Sequence, residues 1–319
     1  MTRAAAFLGP LLIFVAAMLW ASDAPFRLHL TQSLSSDVIV LGEHLFDCLI
    51  AIPILAWGWK ELRGLSLREW TAIAFIGVFG SAVASIAFTE SFHYVNPSVA
   101  ILLQKVQPLV AIALAWRLLG EVPHRSFWIW SMLALCGAYL ISFPGLVPQT
   151  YAGEAFKPDW YGALLALAAA VLWAASTVLG KYALRAATFS TVTALRFVIA
   201  LIFLSVLNAS HGTLVEVVSL SVSDWLFVLV IALCSGVVSL FLYYYALSST
   251  RASIATIAEL GFPFAAVFVN AYFIPGNWAP GTYWGLAIGQ WAGTAILLVA
   301  VVMLGRVNRD ERKQDHLVG

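Results

Sequence analysis

The chain states one pattern twice. Leu19-Trp20-Ala21-Ser22 returns as Leu172-Trp173-Ala174-Ala175-Ser176, with Trp20 and Trp173 153 positions apart, and Ser98, Ala100 and Pro108 return 155 positions later as Ser253, Ala255 and Pro263. Trp70 and Trp225 share the second offset. Each statement contains five apolar runs of bilayer length, near 8–30, 37–59, 70–93, 98–118 and 126–145, then 159–182, 189–208, 224–247, 252–273 and 282–305. Because five is odd, the second copy must cross the membrane in the opposite sense. The expected fold is therefore an all-α membrane protein of ten transmembrane helices, arranged as two inverted five-helix repeats.

Composition agrees: 62% of the residues are hydrophobic and 10% charged, against about 25% charged in soluble domains. Ten helices use nearly all 319 positions and leave no room for an aqueous domain. A net charge of +1 points to no nucleic-acid partner. Cys48, Cys136 and Cys234 are odd in number, lie in apolar runs and lack metal-ligand spacing, which reads as small buried hydrophobes. The first apolar run lacks a small-residue cleavage site before Trp20 and is expected to remain as the first span.

Polar punctuation divides the chain. Asn96-Pro97-Ser98 and Ser248-Ser249-Thr250 read as tight turns that make spans 3 and 4, and spans 8 and 9, antiparallel hairpins. Pro144 to Asp159 is the longest internal hydrophilic stretch and the expected linker. The expected organisation is a first repeat over 1–147, a second over 148–305 and a basic tail over 306–319. With the N-terminus inside, thirteen Lys and Arg residues fall on the cytoplasmic side and only Arg27 and Lys157 outside, with Lys105 and Arg196 inside spans. That asymmetry predicts both termini in the cytoplasm of a bacterial-type inner membrane, with the lipid bilayer as partner.

Ionisable residues inside a bilayer are costly, and usually face the bundle interior or a hydrated cavity. Asp23 and Arg27 lie in span 1, Glu43, His44 and Asp47 in span 2, Glu90 and His93 late in span 3, and Lys105 lies between Gln104 and Gln107 in span 4. Glu43 and Lys105 are six and seven residues inside the expected ends of their spans, roughly 10 Å in both cases. Their common level suggests either a shared site or a structural ion pair between spans 2 and 4. Glu43 and Asp47, four apart, share a helix face and could bind an amine or exchange a proton. In the second repeat Arg196 stands at the position of Glu43 and Glu259 at that of Gln104. A gate bond between Arg196 and Glu259 and separate packing roles are the two readings of that pair.

Trp70, Trp128, Trp130, Trp160, Trp225 and Trp284 lie near span ends and read as interface anchors. Trp20 and Trp173 lie deeper, at equivalent places, and are candidate cavity walls, as is Tyr244 in the run Tyr243-Tyr244-Tyr245. Pro108 and Pro263 each remove a helical hydrogen bond and are candidate hinges or static kinks.

Taken together, the Leu-Trp-Ala-x-Ser pattern opening each half, the prolines of spans 4 and 9, Gly120-Glu121 after span 4 and the run Leu103-Gln104-Lys105-Val106-Gln107-Pro108-Leu109 resemble the EamA branch of the drug/metabolite transporter superfamily. The resemblance covers nearly the whole chain. It departs at Gly276-Asn277, where a second Gly-Glu would be expected. It implies a ten-helix exporter of small metabolites such as amino acids, with a site formed by spans 1, 3 and 4 and their mates 6, 8 and 9. Inverted repeats themselves imply alternating access around a midplane site. The expected partners are a small-molecule substrate and, through the carboxylates, protons; no cofactor and no metal are expected. The competing class is a membrane-embedded metal-dependent enzyme using Glu90-x-x-His93 with Glu43 and Asp47, but only one Glu-x-x-His is present and its depth differs from that of Asp47.

Overall fold

A bilayer offers the backbone no hydrogen-bond partner, so an apolar run that crosses it must satisfy its own N–H and C=O groups as helix. The computed structural model describes residues 3–95, 100–101, 103–142, 160–273 and 288–318, and among the described residues there is no strand. Among the described residues eight helices are long and apolar enough to cross a membrane: Ala6–Leu30, Ser36–Trp57, Leu67–Ser91, Trp160–Ala183, Phe189–His211, Val222–Ser249, Ala252–Val269 and Ile288–Asp310. These are spans 1, 2, 3, 6, 7, 8, 9 and 10. Span 5 is the shorter helix Arg125–Ser142. Span 4, already helical at 100, 101 and 103, passes through a 3₁₀ turn at Gln104–Val106 and continues as an α-helix at Gln107–Leu114 and a π-helical end at Ala115–Leu119, stopped by Gly120 in the left-handed conformation. The chain is thus a multi-pass membrane protein of ten helices in two inverted repeats. The turn at 96–98, the linker 144–159, Gly276-Asn277 and Trp284 lie outside the described residues.

The inversion is visible in the packing. Mates pack on mates: span 2 lies along span 7, and span 5 along span 10. Span 1 crosses to spans 8, 9 and 10 of the other repeat, while span 6 makes the reciprocal crossing to spans 3 and 4. At the crossing of spans 5 and 10 each glycine admits the other's backbone. A Cβ on Gly137 would lie 2.8 Å from the Gly293 carbonyl oxygen, and one on Gly293 would lie 2.6 Å from that of Gly137. Small residues allowing backbone contact are how helices associate without a hydrophobic driving force between them.

Spans 3 and 8 depart from α-helix at equivalent places, in π-helical segments Ile76–Val83 and Ala232–Val238. Such segments widen the turn, shift the side chains that follow and recur at functional sites. Here both line the interior.

On the face that carries the chain termini, Asn308 ties three elements together: its amide donates to the carbonyls of Ala6 and Ser249, and its oxygen accepts from the Arg251 N–H. Beside it Glu121 accepts from the N–H groups of Ala252 and Ser253 and from the Ser253 hydroxyl, capping the start of span 9. Two expectations are corrected. Trp70 and Trp225 pack half-buried against core clusters rather than standing as simple anchors. Of the three cysteines only Cys48 is buried, Cys136 lying exposed on the outer surface of span 5.

Candidate functional site

A cavity of about 170 Å³ opens between the repeats. Spans 1 and 6 bring Trp20 and Trp173 to its walls, as their equivalent places in the two repeats predict. The indole of Trp173 donates to the Gly80 carbonyl at 2.9 Å and meets Phe88 edge-on, while Trp20 packs on Tyr243 with centroids 5.2 Å apart. Each indole is therefore held by the π-segment or aromatic run of the span it crosses. Gly80 has no room for a side chain, since a Cβ there would overlap Ser176.

Two polar clusters bound the cavity. Toward the face opposite the termini, Arg27 is the hub. Its guanidinium lies 2.7 Å from Glu43 and 2.9 Å from Asp23, and donates to the Thr89 hydroxyl at 2.8 Å. The Ser235 hydroxyl adds a bond to Asp23 from span 8. Nearer the terminal face, the Glu259 carboxyl accepts from Tyr243 at 2.6 Å, from Gln107 at 2.5 Å and from Thr177 at 3.3 Å, joining spans 4, 6, 8 and 9. Glu43 and Glu259 each lie seven residues past the start of their helices at Ser36 and Ala252, about 10 Å. Burying a carboxyl group so deep is costly, and these hydrogen bonds offset the cost at Glu259.

The middle of the cavity is held by Arg196, which donates to the Ser81 hydroxyl at 2.7 Å and to the Tyr244 hydroxyl at 3.1 Å, its guanidinium also lying 5.4 Å from the Tyr244 ring centre. The repeat alignment explains this. Tyr244 is the mate of Thr89 and Gly180 the mate of Arg27. The glycine leaves the space that the Tyr244 phenol fills, a Cβ on Gly180 falling 2.8 Å from its oxygen. The first repeat thus puts its cation on span 1, and the second puts it on span 7.

Several sequence-derived pairings are redrawn. Glu43 does not meet Lys105; it meets Arg27, which charge counting assigned to the outer end of span 1. Lys105 turns instead toward span 5, where its ammonium donates to the Ala138 carbonyl at 3.0 Å. Arg196 and Glu259 are not joined to each other, each having its own tyrosine. Asp47, Gln104, Pro108 and Pro263 line the cavity. Glu90 and His93 do not: Glu90 accepts from the Ser36 hydroxyl at 2.7 Å, and His93 is exposed. Among the described residues no group of three His, Cys, Asp or Glu side chains converges as a metal site. Thr177 and Ser235 carry no signal in the sequence beyond polarity, whereas Arg27 and His44 are legible there as ionisable residues inside spans 1 and 2, without the contacts they make.

Comparison with known proteins assigns the class. The EamA-like transporter family matches residues 7–143 and again 160–306. The riboflavin transporter ImpX of Fusobacterium nucleatum subsp. nucleatum is 29% identical over 306 residues, spanning 94% of this chain and 98% of its own length. An uncharacterized transporter of Bacillus subtilis, YwfM, is 23% identical over 310 residues, 95% of each chain. A protein of known crystal structure superposes with a TM-score of 0.67 at 18% identity, over 95% of this chain and 97% of that one, a likeness of fold. With the inverted ten-helix fold, a cavity between its repeats and a family match across both of them, the chain belongs to the EamA-like transporter family of the drug/metabolite superfamily, and is a carrier of small molecules rather than an enzyme.

Proposed function

We propose that this protein carries a planar, hydrogen-bonding heteroaromatic metabolite of the flavin kind by alternating access. The observation that carries the reading is the pair Trp20 and Trp173, which supplies an aromatic wall from each repeat to one cavity whose remaining lining is rich in amide, hydroxyl and carboxyl groups. Aromatic faces bind a flat ring by stacking, and a few polar groups set its orientation. The likeness to a riboflavin transporter along the full length supports the same substrate class. An amino acid, which the family resemblance implies, draws less support from the site, because Glu43 is engaged by Arg27 and Lys105 by the Ala138 carbonyl.

In this reading the repeats 1–147 and 148–305 are the two halves that rock about the site, and both termini face the cytoplasm of a bacterial-type inner membrane. Asp23, Glu43, Asp47 and Glu259 are the groups able to exchange a proton with the cavity. A carrier without such coupling moves its substrate in whichever direction the gradient runs.

The test is flux of radiolabelled riboflavin in proteoliposomes, against an amino-acid panel, with and without an imposed pH gradient. Saturable riboflavin counterflow is expected. Riboflavin flux equal to that of protein-free vesicles rejects the substrate, saturable amino-acid flux in its place installs the second reading, and accumulation indifferent to the pH gradient rejects proton coupling.

A further inference from the structure

Buried polar atoms in folded proteins almost always have a hydrogen-bond partner, so those without one indicate what a site is built to receive. His44 Nε2, Asp47 Oδ1, Gln104 Nε2 and Thr256 Oγ1 are buried with no hydrogen-bond partner among the described residues, and all four residues line the cavity. The stronger charges around them are already engaged: Arg27 by Asp23, Glu43 and Thr89, Arg196 by Ser81 and Tyr244, Glu259 by Tyr243, Thr177 and Gln107, and Lys105 by Ala138.

The four atoms divide by chemistry and by place. His44 Nδ1 lies 2.9 Å from the Val40 carbonyl oxygen and must donate to it, so the neutral ring leaves Nε2 as an acceptor. Asp47 follows three residues later on the same helix face and presents a carboxyl oxygen with lone pairs to accept. Span 2 thus offers two acceptors side by side. Gly236 keeps that place open, because a Cβ there would run into the Asp47 carboxylate. Gln104 on span 4 offers an N–H, and Thr256 on span 9 a hydroxyl. The repeat mates of His44 and Asp47 are Phe197 and Ala200, so the accepting face exists once and breaks the two-fold symmetry of the cavity.

We infer that His44 and Asp47 form the face that reads the hydroxylated side chain of a flavin, while Gln104 and Thr256 donate to the carbonyls of its ring; the inference rests on the flavin reading above. A ribityl chain brings a row of O–H donors, which two adjacent acceptors suit. The imide edge of the ring alternates acceptor, donor and acceptor, and would set a carbonyl against one of the two acceptors. An unsymmetrical cavity orients an unsymmetrical substrate, with its ring between the tryptophans and its polyol toward span 2.

The experiment compares riboflavin with lumiflavin, which has the same ring and a methyl group in place of the ribityl chain. Binding is read from quenching of flavin fluorescence by the full chain in lipid nanodiscs. Wild type is expected to bind riboflavin about tenfold to a hundredfold more tightly, roughly one order per hydrogen bond. His44→Phe and Asp47→Leu should shrink that preference while leaving lumiflavin affinity unchanged, and Gln104→Leu should weaken both ligands by one factor. Equal wild-type affinity for the two ligands overturns the inference without any variant. So does a preference that survives in both span 2 variants, or an equal loss of both ligands in them. Absence of binding of either flavin to wild type overturns the substrate reading, and the orientation falls with it.

Discussion

Arg27 Nη1 and Glu43 Oε1 stand 2.7 Å apart in the interior of the bundle, joining span 1 to span 2. The contact is an ion pair more than a directed hydrogen bond, since Glu43 Oε1 has no partner of good hydrogen-bond geometry. Arg27 also holds Asp23 and Thr89, so one cation satisfies side chains of three spans.

Removing the hub should cost more than removing one spoke. Arg27→Met leaves Asp23 and Glu43 buried beside each other without a cation, a change of about 3–5 kcal/mol for broken buried pairs. Glu43→Gln leaves Arg27 with Asp23 and Thr89, and should cost less than half as much. Thermal unfolding in detergent ranks the two; equal losses would remove Arg27 from the centre of the cluster.

Glu121 closes the terminal face by accepting three hydrogen bonds at the start of span 9. Hydrogen bonds to a charged group contribute about 1.5–3 kcal/mol. Glu121→Ala is therefore expected to lower thermal stability and to raise hydrogen exchange at the amides of Ala252 and Ser253, with Glu121→Gln intermediate. Unchanged exchange at those two amides would contradict the capping role.

The glycine crossing of spans 5 and 10 tolerates no side chain. Gly293→Val would drive a branched carbon into the Gly137 backbone, and overpacking of this kind costs about 1–3 kcal/mol or more. The expected readout is a lower unfolding temperature and reduced yield of folded protein. A Gly293→Val protein as stable as wild type would mean that the two helices separate freely.

Glu61, in the loop between spans 2 and 3, accepts from the N–H and hydroxyl of Thr188 at the start of span 7. Partial desolvation pushes its pKa up, and the hydrogen bonds from Thr188 and Thr191 outweigh that and hold it below its ordinary value of 4.5. A depressed carboxyl stabilises the fold above its unfolded pKa, and that contribution is lost as pH falls through the lower folded value. Stability of wild type should therefore fall more steeply than that of Glu61→Gln on acidification below about pH 4.5, with the two acid limbs converging once Glu61 is protonated. Parallel curves for the two proteins from pH 6 to pH 3 would refute the link.

Much of the architecture is written locally. Hydropathy places the described spans within a few residues of their observed ends, because burying a helix in lipid depends on apolar length alone; the exception is span 10, whose helix Ile288–Val318 runs on past the expected end at 305. The recurrence of Trp20 at Trp173 and of Pro108 at Pro263 identifies residues that line the cavity, since equivalent places in an inverted repeat converge on one interior. The glycine seam of Gly137 and Gly293 was less legible, because a single glycine in a span does not state what crosses it.

What the sequence by itself determined is the number of spans, their inversion and the depth of each polar residue; depth follows from counting along a helix. Only the tertiary structure decided which of them meet. Glu43, Lys105 and Arg27 all lie at depths from which more than one partner is within reach, and the choice depends on the azimuth of each helix about its own axis. Span 4 passes through a 3₁₀ turn and ends as π-helix, and spans 3 and 8 carry π segments. Each departure rotates the following side chains away from the 100° step that sequence reading assumes. Lys105, inside the 3₁₀ turn, turns to Ala138 on span 5, while on spans 1 and 2 helix azimuth alone gives Arg27 to Glu43 and leaves Asp47 and His44 facing the cavity.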